Sequence, residues 1–134
     1  MVVIEAGTTL FLPTGPAHDP GRKHLFIVLT MPRSIDAAES ATLCVPMVSL
    51  SSIPKDRPYD ATCVLHVGDH PFIKHDSYVA YSLAIYPPLS TLQDKIRRGE
   101  CEIAQPLTPS ILKRVYEGVF ISRHVKPRFR GLCR

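Results

Sequence analysis

The sequence predicts a mainly β (α+β) fold, a small β-barrel followed by one or two C-terminal helices. Three observations support this fold class. Short apolar runs of strand character recur along the chain, and helical periodicity is confined to its last third. In addition, 13 prolines and seven glycines in 134 residues interrupt the apolar runs at short intervals, which favours short strands joined by loops.

Five apolar runs predict the strands. The run at 24–30 is nearly continuous, as in a strand buried on both faces. The run at 41–49 contains Pro46, which favours an edge position or a bulge. In the long run at 77–86 the alternation predicts that Val79, Tyr81, Leu83 and Ile85 face the core. The predicted strands cover residues 8–12, 24–30, 41–49, 62–67 and 77–86.

The segments between these runs predict loops. Residues 13–23 hold three prolines and two glycines, and residues 51–60 are polar with two prolines. Residues 31–40 begin with Met-Pro and end polar, and we predict a loop there with a helical turn near residues 36–39.

Two helices are predicted after the strands. Ser90 and Gln93 fit a capping box, and Gly99 is a suitable stop. Thr108 and Pro109 fit an N-cap followed by proline at the first helical position. An apolar stripe at helical spacing then follows: Ile111, Leu112, Val115, Tyr116 and Val119.

The length favours one domain with a core of its own. We assign residues 1–122 to a single barrel domain with helices and residues 123–134 to a basic C-terminal tail. Residues 1–112 hold nine basic and eleven acidic side chains, whereas residues 113–134 hold seven basic and one acidic. This cationic end favours an anionic partner, although a solvated tail would have the same composition.

The composition also bears on location and cofactors. No apolar stretch is long enough to cross a bilayer, and residues 1–5 carry no secretory pattern, so we expect a cytoplasmic protein without a membrane partner. The four cysteines form no C-x-x-C pair, and without a secretory pattern we expect no disulfides between them. No P-loop or G-x-G-x-x-G motif occurs, so we expect no cofactor.

The basic loop 21–24 leads into the apolar run ending in Leu29-Thr30, and the run Leu43-Cys44-Val45-Pro46 then ends in Ser49. With 107–112 as the start of a last helix, this order resembles the MazF/PemK toxins over most of residues 5–121. The resemblance implies an SH3-like barrel, a homodimer, an antitoxin partner and metal-independent cleavage of single-stranded RNA. The family usually has an arginine just before the first apolar strand, but here His24 holds that position.

RNA cleavage without a metal requires a base, an acid and cations that stabilise the developing phosphorane charge. Histidines suit the first two roles, and lysine or arginine suits the third. We predict that Ser49, as the resemblance implies, binds a phosphate oxygen and that Tyr78 stacks on a base. The predicted site is His24, Ser49, His70 and His75 as catalytic candidates, with Arg22, Lys23, Lys74 and Tyr78 binding substrate.

Other interpretations of these residues remain open. Each histidine also fits an exposed loop residue in a local turn, and Ser49 fits a strand-end hydroxyl that bonds backbone. A metal site is a weaker alternative, since Cys63, His66, His70 and His75 match no zinc module and we expect no metal. The alternative function is a non-catalytic barrel that binds RNA or a partner protein, and an unrelated hydrolase using His70 or His75 also remains open.

Overall fold

The computed structural model describes residues 3–13, 23–35 and 42–134. The predicted helical turn near residues 36–39 lies outside these ranges, as does Arg22. The strands are β1 Thr9–Pro13, β2 Lys23–Val28, β3 Arg33–Ser34, β4 Leu43–Cys44, β5 Met47–Ser52, β6 Val64–Leu65, β7 Ser77–Ile85 and β8 Glu102–Ala104. The helices are α1 Leu89–Arg97, α2 Pro109–Gly118 and α3 Pro127–Cys133.

Six of the strands form one antiparallel sheet in the order β6-β7-β5-β2-β1-β8. The mainly β class is therefore confirmed. The two edge strands, β6 and β8, do not pair with each other among the described residues, so the recorded pairs describe an open sheet rather than a closed barrel. β3 and β4 form a separate two-stranded ribbon.

The sheet lies between two hydrophobic clusters because β2 is apolar on both faces. Leu25 and Ile27 point to one cluster, which also contains buried residues of α2 and α3. Phe26 and Val28 point to the other cluster, which contains Leu92 of α1. The prediction that this strand is buried on both faces is confirmed.

The predicted core face of β7 is right for its first half and wrong for its second. Val79 and Tyr81 are buried, but Leu83 is 60% exposed and Ile85 is 37% exposed. The register of β7 against β5 shifts between Met47 and Ser49. Such an irregularity changes which face of the sheet the following side chains occupy.

The predicted strand at 41–49 is divided in two. Pro46 separates β4 from β5, since proline has no N–H to donate and interrupts the ladder. β3 lies in the segment predicted as a loop, and it pairs with β4 through Arg33 opposite Cys44.

The two predicted helices are present as α1 and α2. α1 begins at Leu89 with Pro88 as its N-cap, so Ser90 lies inside the helix and the predicted capping box is wrong. Gly99 follows the helix with φ of +76°, a conformation that favours glycine at a helix end. Thr108 is the N-cap of α2 and Pro109 its first residue, as predicted.

The third helix, α3, was not predicted, and it lies within the segment assigned as a basic tail. Phe129 and Cys133 are buried in the cluster beneath α2. The Tyr116 hydroxyl donates to the Cys133 carbonyl at 2.6 Å. Arg33 donates to the Arg134 carbonyl at 2.6 Å. These contacts hold α3 against α2 and β3.

All four cysteines are buried free thiols. Burial raises the pKa of each thiol, and it raises that of Cys133 to about 11. Within the described ranges, no helix combines the length and the apolar content that a membrane crossing needs.

Candidate functional site

A cavity of about 720 Å³ lies beside the N-terminal end of β2 and the C-terminal end of β5, and we call it the cationic cavity. Its volume falls in the range typical of ligand sites, about 300–1,000 Å³. The loop before β7 and the loop after β5 complete its walls. The polar side chains that line it are Lys23, His24, Ser51, Ser52, Arg57, Lys74, His75, Ser77 and Tyr78.

The strand pairing explains why the sheet opens at this place. The pairing of β2 with β5 ends at Phe26 and Ser49. The β2 residues before Phe26 pair only with β1, where His24 lies opposite Leu12. The β5 residues after Ser49 pair only with β7, where Ser52 lies opposite Ser77. Side chains at both strand ends therefore line a cavity instead of filling a strand–strand contact.

The cavity is suited to an anion. Lys23, Arg57 and Lys74 are exposed cations in its wall, and among the described residues no carboxylate lines it. Asp56 and Asp76 adjoin lining residues in the sequence, and the Asp76 carboxylate lies 3.2 Å from Nδ1 of His66. Hydroxyl donors and unopposed cations are the groups that bind phosphate oxygens.

The structure brings together five of the predicted site residues from separate parts of the chain. Lys23 and His24 come from β2, Lys74 and His75 from the loop before β7, and Tyr78 from β7 itself. Histidines from two different elements thus line the same cavity. They are the side chains there whose type exchanges protons near neutral pH.

Ser49 is not one of the residues that line the cavity. It is 3% exposed and lies within the sheet, opposite Phe26 on one side and Ala80 on the other. The hydroxyls that do line the cavity include those of Ser51 and Ser52, at the end of the same strand. These two serines follow Ser49 by two and three residues along β5.

His70 holds the loop rather than lining the cavity. Its ring is 3% exposed, and Nδ1 accepts a hydrogen bond from the Phe72 N–H at 3.1 Å. Nε2 therefore carries the proton, and it donates to the Gln105 carbonyl at 2.7 Å. The Thr9 hydroxyl donates to the same carbonyl at 2.6 Å. His70 thus ties the loop that carries Lys74 and His75 to β1 and the segment after β8.

An aromatic contact supports the same loop. The rings of Phe72 and Phe11 meet edge to face with their centroids 4.6 Å apart. Phe72 also lines the cationic cavity. The loop therefore has both a polar and an apolar attachment to the sheet, and these position Lys74 and His75.

Tyr78 has an aromatic neighbour. Its ring lies 5.3 Å from that of Tyr59, centroid to centroid, at an interplanar angle of 40°. Tyr59 is 38% exposed. Partly exposed tyrosines beside a cationic cavity provide a surface on which unpaired bases stack.

Arg57 was not predicted, and its loop is fixed at Asp60. The Ser122 hydroxyl donates to the Asp60 carboxylate at 2.6 Å, and the Thr62 N–H donates to it at 3.0 Å. Burial acts to raise the pKa of Asp60, but these hydrogen bonds outweigh burial and lower it. The carboxylate thus connects the loop bearing Arg57 to the segment between α2 and α3.

A second depression, also of about 720 Å³, lies between residues 29–33 and α2. Its walls are mainly apolar, with Leu29, Met31, Pro32 and Leu112 among them. Its described lining residues include no histidine and no serine, so they offer less for phosphate chemistry than those of the cationic cavity.

The remaining sequence predictions concern Arg22 and a metal. Arg22 lies outside the described residues, next to Lys23 of the cavity wall. In the described part of the chain, no three residues of the types His, Cys, Asp and Glu lie close enough together to hold a metal ion.

Comparison with models of known protein families, with curated proteins and with solved structures finds no significant match to this chain. The resemblance to the MazF/PemK toxins therefore stays a prediction from the sequence.

Proposed function

We propose that the protein is a metal-independent endoribonuclease that binds and cleaves single-stranded RNA in the cationic cavity. The observation that carries the proposal is the convergence of two histidines, three cations and several hydroxyls on one cavity, whose described lining residues include no carboxylate. A phosphodiester needs such cations and donors for binding, and its cleavage needs two groups that exchange protons.

The reaction that fits these groups is transfer to the neighbouring hydroxyl. One histidine, His24 or His75, takes the proton of the ribose 2′-OH, and the 2′ oxygen attacks the adjacent phosphorus. The bond from phosphorus to the 5′ oxygen breaks, and the other histidine protonates that oxygen. Lys23, Arg57 and Lys74 stabilise the charge that develops on the phosphorane oxygens.

The biological role that we propose is the toxin of a toxin–antitoxin pair, with a divergent SH3-like barrel and a homodimer. This part rests on the sequence resemblance together with the mainly β fold. The substitution of His24 for the usual arginine is compatible with it, because Lys23 and Arg57 supply cations to the same cavity. Induced expression in bacteria is expected to arrest growth, and a His24→Asn/His75→Asn variant is expected not to.

The test is cleavage of a long unstructured RNA in EDTA, with analysis of the product ends. The proposal predicts 2′,3′-cyclic phosphate and 5′-hydroxyl ends, and no cleavage of the same sequence with 2′-O-methyl groups. Intact RNA would contradict it. If intact RNA were nonetheless bound with an affinity that falls with salt, the non-catalytic RNA-binding alternative would replace it.

A further inference from the structure

A second basic groove lies beside α3. It consists of two adjoining depressions of about 100 Å³ and about 240 Å³, which share Tyr86 and Arg128. Lys126 and Ser82 line the smaller depression, and Ser34 lines the larger one. We call both together the α3 groove.

The charge of the α3 groove favours an anion. Lys126 and Arg128 are exposed, and neither forms an ion pair with a described residue. In the part of the chain that the structure describes, no acidic side chain lines either depression. Arg130 of the same helix differs, because its guanidinium donates to the carbonyls of Val119 and Ser122 and so serves the fold.

An aromatic ring lies beside these cations. Tyr86 is half-buried, and its ring contacts that of Phe129 with centroids 6.5 Å apart. Phe129 is buried in the core, so it holds the Tyr86 ring in place. An ordered aromatic ring next to a guanidinium and an ammonium group is the combination that binds an unpaired base and its phosphate.

The α3 groove and the cationic cavity meet at one strand, β7. Leu83 lines the cationic cavity, whereas its neighbours Ser82 and Ala84 line the α3 groove. β6 pairs with β7 only near the start of β7. Among the described residues, no strand pairs with this edge of β7 after Val79. Leu83 is 60% exposed, so an extended ligand that reached both sites could contact its side chain at the strand.

We propose that the α3 groove binds the nucleotides that flank the cleaved bond, so that one RNA strand crosses β7 between the two sites. The inference rests on the proposed function of the cationic cavity. It adds that Lys126, Arg128 and Tyr86 bind substrate. It also adds that the substrate is longer than the cationic cavity can hold.

The test compares two non-cleavable 2′-O-methyl RNAs, one of about three nucleotides and one of about twelve, within the site sizes of single-strand binders. The full chain is used as wild type, Arg128→Gln and Arg123→Gln. Arg123 is the matched control, because it is an exposed arginine near α3 that lines neither depression.

Wild type is expected to bind the longer RNA more tightly than the shorter one. Arg128→Gln is expected to lower the affinity for the longer RNA about tenfold, the effect of losing one charge-assisted hydrogen bond. It is also expected to lower the slope of log affinity against log salt by about 0.7, as for one phosphate contact with a single strand. Its affinity for the shorter RNA and the affinities of Arg123→Gln are expected to be unchanged.

Two results would overturn the inference, and they differ in what they leave standing. If Arg128→Gln and Arg123→Gln lower the affinity for the longer RNA equally, or not at all, the groove does not bind flanking nucleotides. In that case, tight binding of the short RNA by wild type would leave the proposed function intact. If wild type binds neither RNA, the inference and the proposed function fail together.

Discussion

Replacing His70 tests whether this histidine is structural, as its contacts indicate, or catalytic, as the sequence suggested. In His70→Ala the bond to the Gln105 carbonyl is lost, at about 1 kcal/mol, and the Phe72 N–H loses its acceptor, at about 1–2 kcal/mol. The Gln105 carbonyl keeps the hydrogen bond from Thr9, which limits the first cost. The void left by a ring that is 3% exposed adds about 1 kcal/mol.

The sum is about 3–4 kcal/mol, against a total stability of about 5–15 kcal/mol for a domain. Urea unfolding followed by circular dichroism is the assay, and a midpoint about 1.5–2 M lower is expected for an m-value of about 2 kcal/mol/M. His70→Gln is the matched variant, because its amide N–H can replace Nε2–H toward Gln105. We expect it to lose about half as much stability.

The cleavage assay separates the two roles. A structural His70 predicts that the His70→Gln variant, at a temperature where it is folded, cuts RNA within about tenfold of wild type, since a general acid or base contributes about 10²–10⁴-fold. A loss of 10²-fold or more in a variant with near-normal stability would refute the structural assignment.

Three further predictions concern stability and thiol reactivity. Gly118→Ala is expected to destabilise by about 1–3 kcal/mol in urea unfolding, because the new Cβ would overlap the buried Tyr81 ring, whereas Gly131→Ala meets no atom within 4 Å and is expected to stabilise by about 0.5–1 kcal/mol; equal effects would contradict the packing. The lowered pKa of Asp60 predicts that its contribution to stability is fully present above the carboxyl's ordinary pKa and is lost as pH falls through the lower folded pKa. Asp60→Asn should therefore flatten the acid side of the stability curve, at and below the ordinary carboxyl range, and an unchanged curve would count against it. The buried thiols, with that of Cys133 at a pKa of about 11, predict that a thiol reagent at pH 8 labels the native protein slowly and all four cysteines in urea; rapid native labelling would disagree.

The sequence predicts the parts of the fold that depend on local pattern. The strand at β2 and the helix beginning at Pro109 were predicted because a continuous apolar run and a threonine–proline start are local signals. β8 has only three residues and is held by pairing with β1. No local sequence pattern predicts this pairing. α3 owes its place to burial of Phe129, a contact between segments distant in the chain.

The candidate site was partly predictable for a similar reason. Residue type alone singled out His24 and His75, and the fold brings them to one cavity. Ser49 lies inside the sheet and not in the cavity wall, a placement that was not predictable because a sequence does not show where the pairing of two strands ends. Arg57 lies in a loop without periodicity, so only the three-dimensional arrangement associates it with the cavity.

The central claim is that His24 and His75 cleave RNA in the cationic cavity. The measurement that tests it most directly is the initial rate of RNA cleavage in EDTA for wild type, His24→Asn, His75→Asn and Ser49→Ala. The account predicts discrete fragments with wild type, a loss of about 10²-fold or more in each histidine variant, and a rate near wild type for a folded Ser49→Ala. Histidine variants that cut as fast as wild type would contradict it.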